Sequence, residues 1–300
     1  MDVDWSLLSV HAVYDWIDAR VSSLFMSFLE YKGVHLQSAP ATRGLPTVDS
    51  PTPVLLATSS YLSIVLLGVA WLRSFNAKPR THEPFLLKAL VIFHNLFCLT
   101  LSLYMCVGIA SRAFQLKYLL WGNAYDPNEI TMAHYVYLFY MSKYVEFMDT
   151  IIMILKHNLR QITVLHVYHH VSVALIWWMI SYHAPGGDAY FSGAINSGVH
   201  VIMYLYYLLS SLLRSDEKVR RKYLFWGRYL TQIQMLQFVC NWIQAAYCIK
   251  VQAPYPQFLY KILFYYMLSL LMLFANFYMR KYTAMGKKKQ KYAIGEKKQK

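Results

Sequence analysis

The sequence predicts an all-α polytopic membrane protein with seven transmembrane helices, and three observations carry that expectation. Hydrophobic residues fill 57% of the 300 positions, charged residues only 15%, and the mean hydropathy is +0.30, too apolar for a soluble domain of this length. Seven apolar segments, 53–72, 84–110, 131–155, 162–181, 188–213, 222–248 and 258–279, reach the roughly 20 residues that one crossing needs. Lysine and arginine concentrate in the connections after the first, third, fifth and seventh of these segments, so the positive-inside rule puts the N-terminus on the far side and the C-terminus in the cytosol.

Residues 1–52 form a luminal N-terminal segment. Within it, residues 5–30 are interrupted by Asp15, Asp18 and Arg20 and read as a helix lying in the membrane interface rather than an eighth span. The opening MDVD lacks the basic region of a signal peptide, so the N-terminus is expected to be retained. Residues 53–280 form one seven-helix membrane domain without internal repeats, and residues 281–300 form a basic cytosolic tail. Lys297 and Lys298 stand in the dilysine arrangement that retains proteins in the endoplasmic reticulum membrane. The net charge of +14 does not point to nucleic acid, because much of it lies beyond Phe277 in that tail. Cys98, Cys106, Cys240 and Cys248 all fall in apolar runs and are expected to be reduced, packed thiols.

Four of the predicted spans carry a polar face. In the third, Lys143, Glu146, Asp149 and Thr150 follow one another at i, i+3, i+6 and i+7. The fourth holds His166, His169 and His170, and the fifth holds Asn196, His200, Tyr204 and Tyr207. The sixth aligns Thr231, Gln234 and Gln237, which alone would read as hydrogen-bonding glue between helices. Ionisable groups at mid-membrane cost about 3 kcal/mol or more each unless paired, so Lys143, Glu146 and Asp149 are expected to form an ion-pair cluster shaping a polar cavity. The alternating direction of the spans places all four stripes at one depth, near the cytosolic side. A shared site continuing into an apolar interior suits a substrate with a charged head and an apolar tail.

The box His166-x-x-His169-His170 fits two chemistries. As metal ligands the histidines resemble part of the di-iron site of membrane desaturases and hydroxylases. A two-iron site is short of ligands, since only His94, His134 and His200 add to the box inside spans, and a mononuclear site stays open. As neutral buried imidazoles, the same residues suit acid–base or nucleophilic work on an acyl group. A seven-helix transporter or receptor would explain the spans but not the box.

The motifs KYVEFMDT, LHVYHH, NSGVHVIMYLYY and TQIQMLQ, in this order on successive spans, resemble the ELO fatty acid elongase family over roughly residues 50–280. The resemblance implies six helices forming a barrel around a closed-ended acyl tunnel, with the first span outside it. It implies a very-long-chain 3-oxoacyl-CoA synthase that condenses acyl-CoA with malonyl-CoA without a cofactor, and hands its product to a 3-ketoacyl-CoA reductase, a dehydratase and an enoyl-CoA reductase; no metal ligands are assigned, and whether a metal is bound stays open. Carried onto this chain, it makes His169 the nucleophile, assisted by His200, with His166 and His170 orienting the acyl group, moving protons and assisting decarboxylation. Asn196, Tyr204, Gln234 and the Lys143, Glu146 and Asp149 cluster would shape the substrate site. Lys156 and Arg160, with Arg214, Lys218, Arg220 and Arg221, would meet the CoA phosphates, although each also reads as ordinary positive-inside charge. Gln161 resembles the branch acting on polyunsaturated chains, or else is a polar cap on the fourth span.

Overall fold

The computed structural model describes residues 10–80, 82–213 and 217–297, so Arg214 and Lys298 lie outside the described residues. Among these residues the chain is helical, with no strand: α1 (Val10–Tyr31), α2 (Thr52–Ser74), α3 (Phe85–Gln115), α4 (Ile130–Leu155), α5 (Val164–His183), α6 (Ala189–Leu212), α7 (Glu217–Tyr223), a 3₁₀ turn (Phe225–Tyr229), α8 (Leu230–Lys250) and α9 (Gln257–Lys297).

Among the described residues, four helices are long and apolar enough to cross a membrane: α2, α3, α5 and the stretch Gln257–Asn276 of α9. The 26-residue α4, 24-residue α6 and 21-residue α8 have the length, but each carries one of the polar stripes, which lowers its mean hydropathy. One predicted boundary needs correction. The segment 222–248 is not one helix: α7 stops at Tyr223, and the chain passes through the 3₁₀ turn, where Gly227 lies against the ring of Tyr206, before α8 begins. The last predicted span, 258–279, agrees with the apolar stretch Gln257–Asn276, and the helix of α9 continues beyond it to Lys297 through a run rich in lysine, glutamine and alanine, which are good helix formers.

The interfacial expectation for the N-terminal region meets a real helix. α1 is not among the helices apolar enough to span, and it packs against α2 while exposing Trp16, Leu24, Phe28 and Tyr31. Pro53 lies in the first turn of α2, where its missing N–H costs nothing. α4 is capped by Glu129, whose carboxylate accepts from Met132 N at 2.8 Å. α5 is capped by Thr163, whose hydroxyl accepts from His166 N at 3.2 Å, so the cap starts the helix that aligns the histidine box.

The helix contacts run from α3 to α4, α4 to α5, α5 to α9, α9 to α8, α8 to α6 and from α6 back to α3, while α2 packs outside on α4 and α5. α3 and α4 come close at Gly108, where a Cβ would stand 2.2 Å from the Tyr135 ring. The largest fully buried side chains include Trp178, Tyr140, Phe139 and Lys143, so the core holds a charged residue among its aromatics. All four cysteines are free, and Cys98 and Cys248 are buried.

The connections gather at two ends. At one, Ala39 N donates to Tyr182 O, Tyr255 Oη donates to Ala184 O, and Gly122 N donates to Asp188, joining the N-terminal segment to the α3–α4, α5–α6 and α8–α9 connections. At the other, Arg80 N donates to Lys156 O and Lys156 pairs with Glu83, joining the α2–α3 and α4–α5 connections.

Beside the cap of α4, Arg112 closes on Glu129 through two nitrogens, at 2.9 and 2.6 Å. This hydrogen bonding, foremost, holds the Glu129 carboxyl below its ordinary range. Because the folded-state pKa is lowered, the pair's stabilisation is present above the ordinary glutamate range and disappears as pH falls through the lowered value. Thermal melts across the acid range should therefore lose stability at the acid end, and Glu129→Gln should flatten that part of the profile while lowering stability at neutral pH.

Candidate active site

α4 supplies the scaffold of the site. Lys143 Nζ lies 2.7 Å from Glu146 Oε1 and 3.5 Å from Asn196 Oδ1 on α6, over the Phe139 ring at 3.9 Å. The same Glu146 oxygen accepts from Ser142 Oγ at 3.2 Å and stands 3.3 Å from His200 Nδ1. Lys143 and Glu146 are 1% and 3% exposed, so the charges have no water to answer them and depend on one another. One helical turn further, Asp149 faces His94 Nε2 at 2.9 Å and accepts from Tyr204 Oη at 2.7 Å. Thr150 Oγ1 lies 2.8 Å from both Tyr61 Oη and His166 Nε2. The stripe on α4 thus meets α2, α3, α5 and α6.

The three box histidines take different surroundings. The rings of His166 and His170 stand 4.4 Å apart, and that of His169 lies 5.7 Å from His170. His170 is buried, and its Nδ1, like Glu146 Oε2, has no hydrogen-bond partner among the described residues. His169 Nδ1 is 3.0 Å from Tyr266 Oη on α9. His169 also lines a narrow cavity of about 60 Å³ whose walls are mainly apolar. The cavity follows α5 from His169 to Ile180, about 16 Å of helix at 1.5 Å per residue, and Asn196 and Gln237 face it from α6 and α8. Among the described residues no three His, Cys, Asp or Glu side chains converge as metal ligands.

At the far end the cavity reaches Asp188, a residue that sequence reasoning missed. Asp188 occupies the N-cap of α6 without capping it. Its carboxylate instead accepts from Gly122 N and Asn123 N at 2.7 Å, Asn123 Nδ2 at 2.8 Å, Tyr260 Oη at 2.6 Å and Cys248 Sγ at 3.4 Å. The preceding Gly187 has φ +49° and a Cβ there would meet Ala124 O at 2.8 Å, so only glycine lets the two connections close on each other. The signal was an acidic residue after Gly-Gly at the edge of a span.

The structure therefore brings together Lys143, Glu146, Asp149, Asn196, Tyr204, His166, His169, His170 and His200. Gln234 bonds sideways to Met203 Sδ at 3.6 Å. Three predicted residues lie elsewhere, in the α4–α5 turn: Lys156 pairs with Glu83 at 3.2 Å, Arg160 is exposed, and exposed Gln161 accepts from Asn158 Nδ2 at 2.8 Å. His94, Tyr61 and Tyr266 belong to the site but to none of the four motifs; only His94, a histidine in an apolar run, carried a signal.

With this geometry in view, comparison with known proteins is decisive. The GNS1/SUR4 (ELO) family matches residues 46–290, most of the chain. The chain belongs to this family. Its relatives include fatty acid elongase 6 of Leishmania major, 41% identical over 249 residues, a match covering 80% of this chain and 62% of that protein. Human very long chain fatty acid elongase 5 is 34% identical over 277 residues, covering 91% of this chain and 87% of its own. The Xenopus tropicalis very long chain fatty acid elongase 5 is 33% identical over 255 residues, covering 84% and 82%. The family match contains every residue of the cluster built above, from Tyr61 to Tyr266, and stops short of the N-terminal helix α1.

Proposed function

We propose that this ELO-family protein is the condensing enzyme of fatty acid elongation, a 3-oxoacyl-CoA synthase that joins a long-chain acyl-CoA to malonyl-CoA through an acyl-histidine intermediate. The observation that carries it is His169, an imidazole held through Nδ1 at the head of a narrow apolar cavity with His200 and a paired Lys143–Glu146 beside it. In this reading the acyl tail lies in the cavity along α5, ending at Asp188. The Nε2 of His169 attacks the thioester carbonyl, the C–S bond breaks, and the imidazole gives up its proton as the CoA thiolate leaves as thiol. Malonyl-CoA then loses carbon dioxide, its enolate attacks the acyl-imidazole carbonyl, and the returning imidazole takes up a proton. His170 stands beside the reacting ring and His166 beside His170, so the two could pass protons, and His170 Nδ1 and Glu146 Oε2 have no hydrogen-bond partner among the described residues. No bound metal or cofactor takes part in this sequence.

The same reading makes the bundle a seven-span protein of the endoplasmic reticulum membrane, six spans enclosing the acyl chain. The closing succession of contacts through α3, α4, α5, α9, α8 and α6, with α2 outside, supports that arrangement. The end holding Lys156 and Arg160 faces the cytosol, where CoA phosphates arrive and where the reductases and dehydratase that complete the cycle find the product. An Asn-x-Ser/Thr site engineered between His183 and Asp188 should be glycosylated and one placed after α9 should not; the reverse pattern would invert the topology.

Membranes containing this protein, given labelled malonyl-CoA and a panel of acyl-CoAs, should release carbon dioxide and form products two carbons longer. Polyunsaturated acyl-CoAs should react faster than saturated ones of equal length. Since Gln161 lies in the α4–α5 turn, Gln161→Leu tests whether the mouth of the site contributes to that preference. A faster reaction with saturated chains would remove the polyunsaturated assignment and keep the condensing activity; no malonyl-dependent product with any acyl-CoA would remove both.

A further inference from the structure

Among the described residues, the His169 ring finds its side-chain hydrogen-bond partner on α9. Tyr266, only 8% exposed, places its hydroxyl 3.0 Å from His169 Nδ1 and 3.5 Å from the carbonyl oxygen of the same residue. Ser172, one turn further along α5, lies 3.0 Å from that hydroxyl and donates at 2.6 Å to Tyr168 O. A neutral imidazole carries one proton, on either ring nitrogen, and which one is set by its hydrogen bonds.

Donor accounting separates the two tautomers. With the proton on Nδ1, every donor has an acceptor: Nδ1–H gives to Tyr266 Oη, the Tyr266 hydroxyl gives to His169 O, and Ser172 gives to Tyr168 O. With the proton on Nε2, Tyr266 would give to Nδ1, and Nε2–H would be left without an acceptor among the described residues, beside a mainly apolar cavity. A donor that faces an apolar cavity wall without an acceptor is costly, whereas an unused imidazole lone pair there is a smaller loss.

We propose that Tyr266 is a positioning residue that holds His169 in the Nδ1–H tautomer, leaving the Nε2 lone pair free for the acyl carbonyl. The proposal rests on His169 as acyl carrier, and it adds a requirement that the histidine box alone does not meet. His200 repeats the arrangement, with Nδ1 turned to Glu146 at 3.3 Å, so both imidazoles are held by the same nitrogen.

The test is nitrogen-15 magnetic resonance of the full-length, histidine-labelled protein in lipid, with the His169 signal assigned by its loss in His169→Gln. The expected spectrum shows His169 protonated at Nδ1 and bare at Nε2. In Tyr266→Phe the signal should shift to a tautomer mixture, and the burst of CoA released from acyl-CoA alone should slow by about fivefold, one hydrogen bond's worth, with KM for acyl-CoA unchanged. A wild-type His169 protonated at Nε2 overturns the proposal, as does a Tyr266→Phe protein with unaltered tautomer and burst. Should Tyr266→Phe not fold, the wild-type spectrum decides alone. Absence of any CoA burst from wild type would count against the acyl-histidine reading instead, and the tautomer would still report on Tyr266.

Discussion

Replacing His169 with Ala is expected to abolish acylation of the protein and to lower elongation by about a thousandfold or more, because on the proposed acyl-histidine mechanism the nucleophile itself is gone. Wild-type protein mixed with acyl-CoA and no malonyl-CoA should release CoA in proportion to enzyme and gain the mass of the acyl group. The variant should show neither. His169 is only half-buried, so its removal should cost no more than about 1–2 kcal/mol, and the variant should stay folded. Intact-protein mass spectrometry decides the matter: an active wild-type enzyme that never carries the acyl group, or carries it on one of the four cysteines, would take the nucleophile's role away from His169.

Lys143→Met should have the largest effect on stability. It leaves Glu146 buried with its cation removed, a change that costs about 3–5 kcal/mol when a buried pair is broken from one side. The double variant Lys143→Met with Glu146→Gln removes both charges and should recover most of that loss in thermal melts. Its elongation should remain low, because His200 has lost the carboxylate beside its Nδ1. Recovery of both stability and activity would show that the pair serves packing alone. Failure of the double variant to recover stability would show that the cavity needs the lysine for more than neutralising Glu146.

Much of this site was legible in the sequence because helical spacing fixes which residues share a face. Lys143, Glu146, Asp149 and Thr150 fall on one side of α4 by their spacing alone, and the structure finds each of them bonded across to another helix. Spacing within a helix says nothing of the register between helices. It could not say that Tyr61 on α2 would meet Thr150, that His94 on α3 would meet Asp149, or that Tyr266 on α9 would meet His169. Asp188 was hidden for a related reason: its five donors come from connections and helices distant in sequence, and a single acid at a span's edge reads as a solvated cap. Gln161 lies where helical spacing does not reach. A residue five positions before the box need not share its face, and here it faces Asn158 in a turn. The interruption between α7 and α8 was missed because an aromatic run looks equally apolar whether its backbone is one helix or two.

The bond between His169 and Tyr266 joins residues 97 apart in sequence, and that between Tyr61 and Thr150 joins residues 89 apart. Contacts of such long separation form late, after the intervening chain has been made and folded. During synthesis the histidine box would enter the membrane long before α9 is translated. A nascent or truncated chain lacking α9 would therefore hold all three box histidines and both carboxylates of α4, yet have no phenol beside His169 and no fourth wall to the cavity. On the proposed mechanism, the imidazole that would accept the acyl group takes up its working orientation only once α9 has packed beside it.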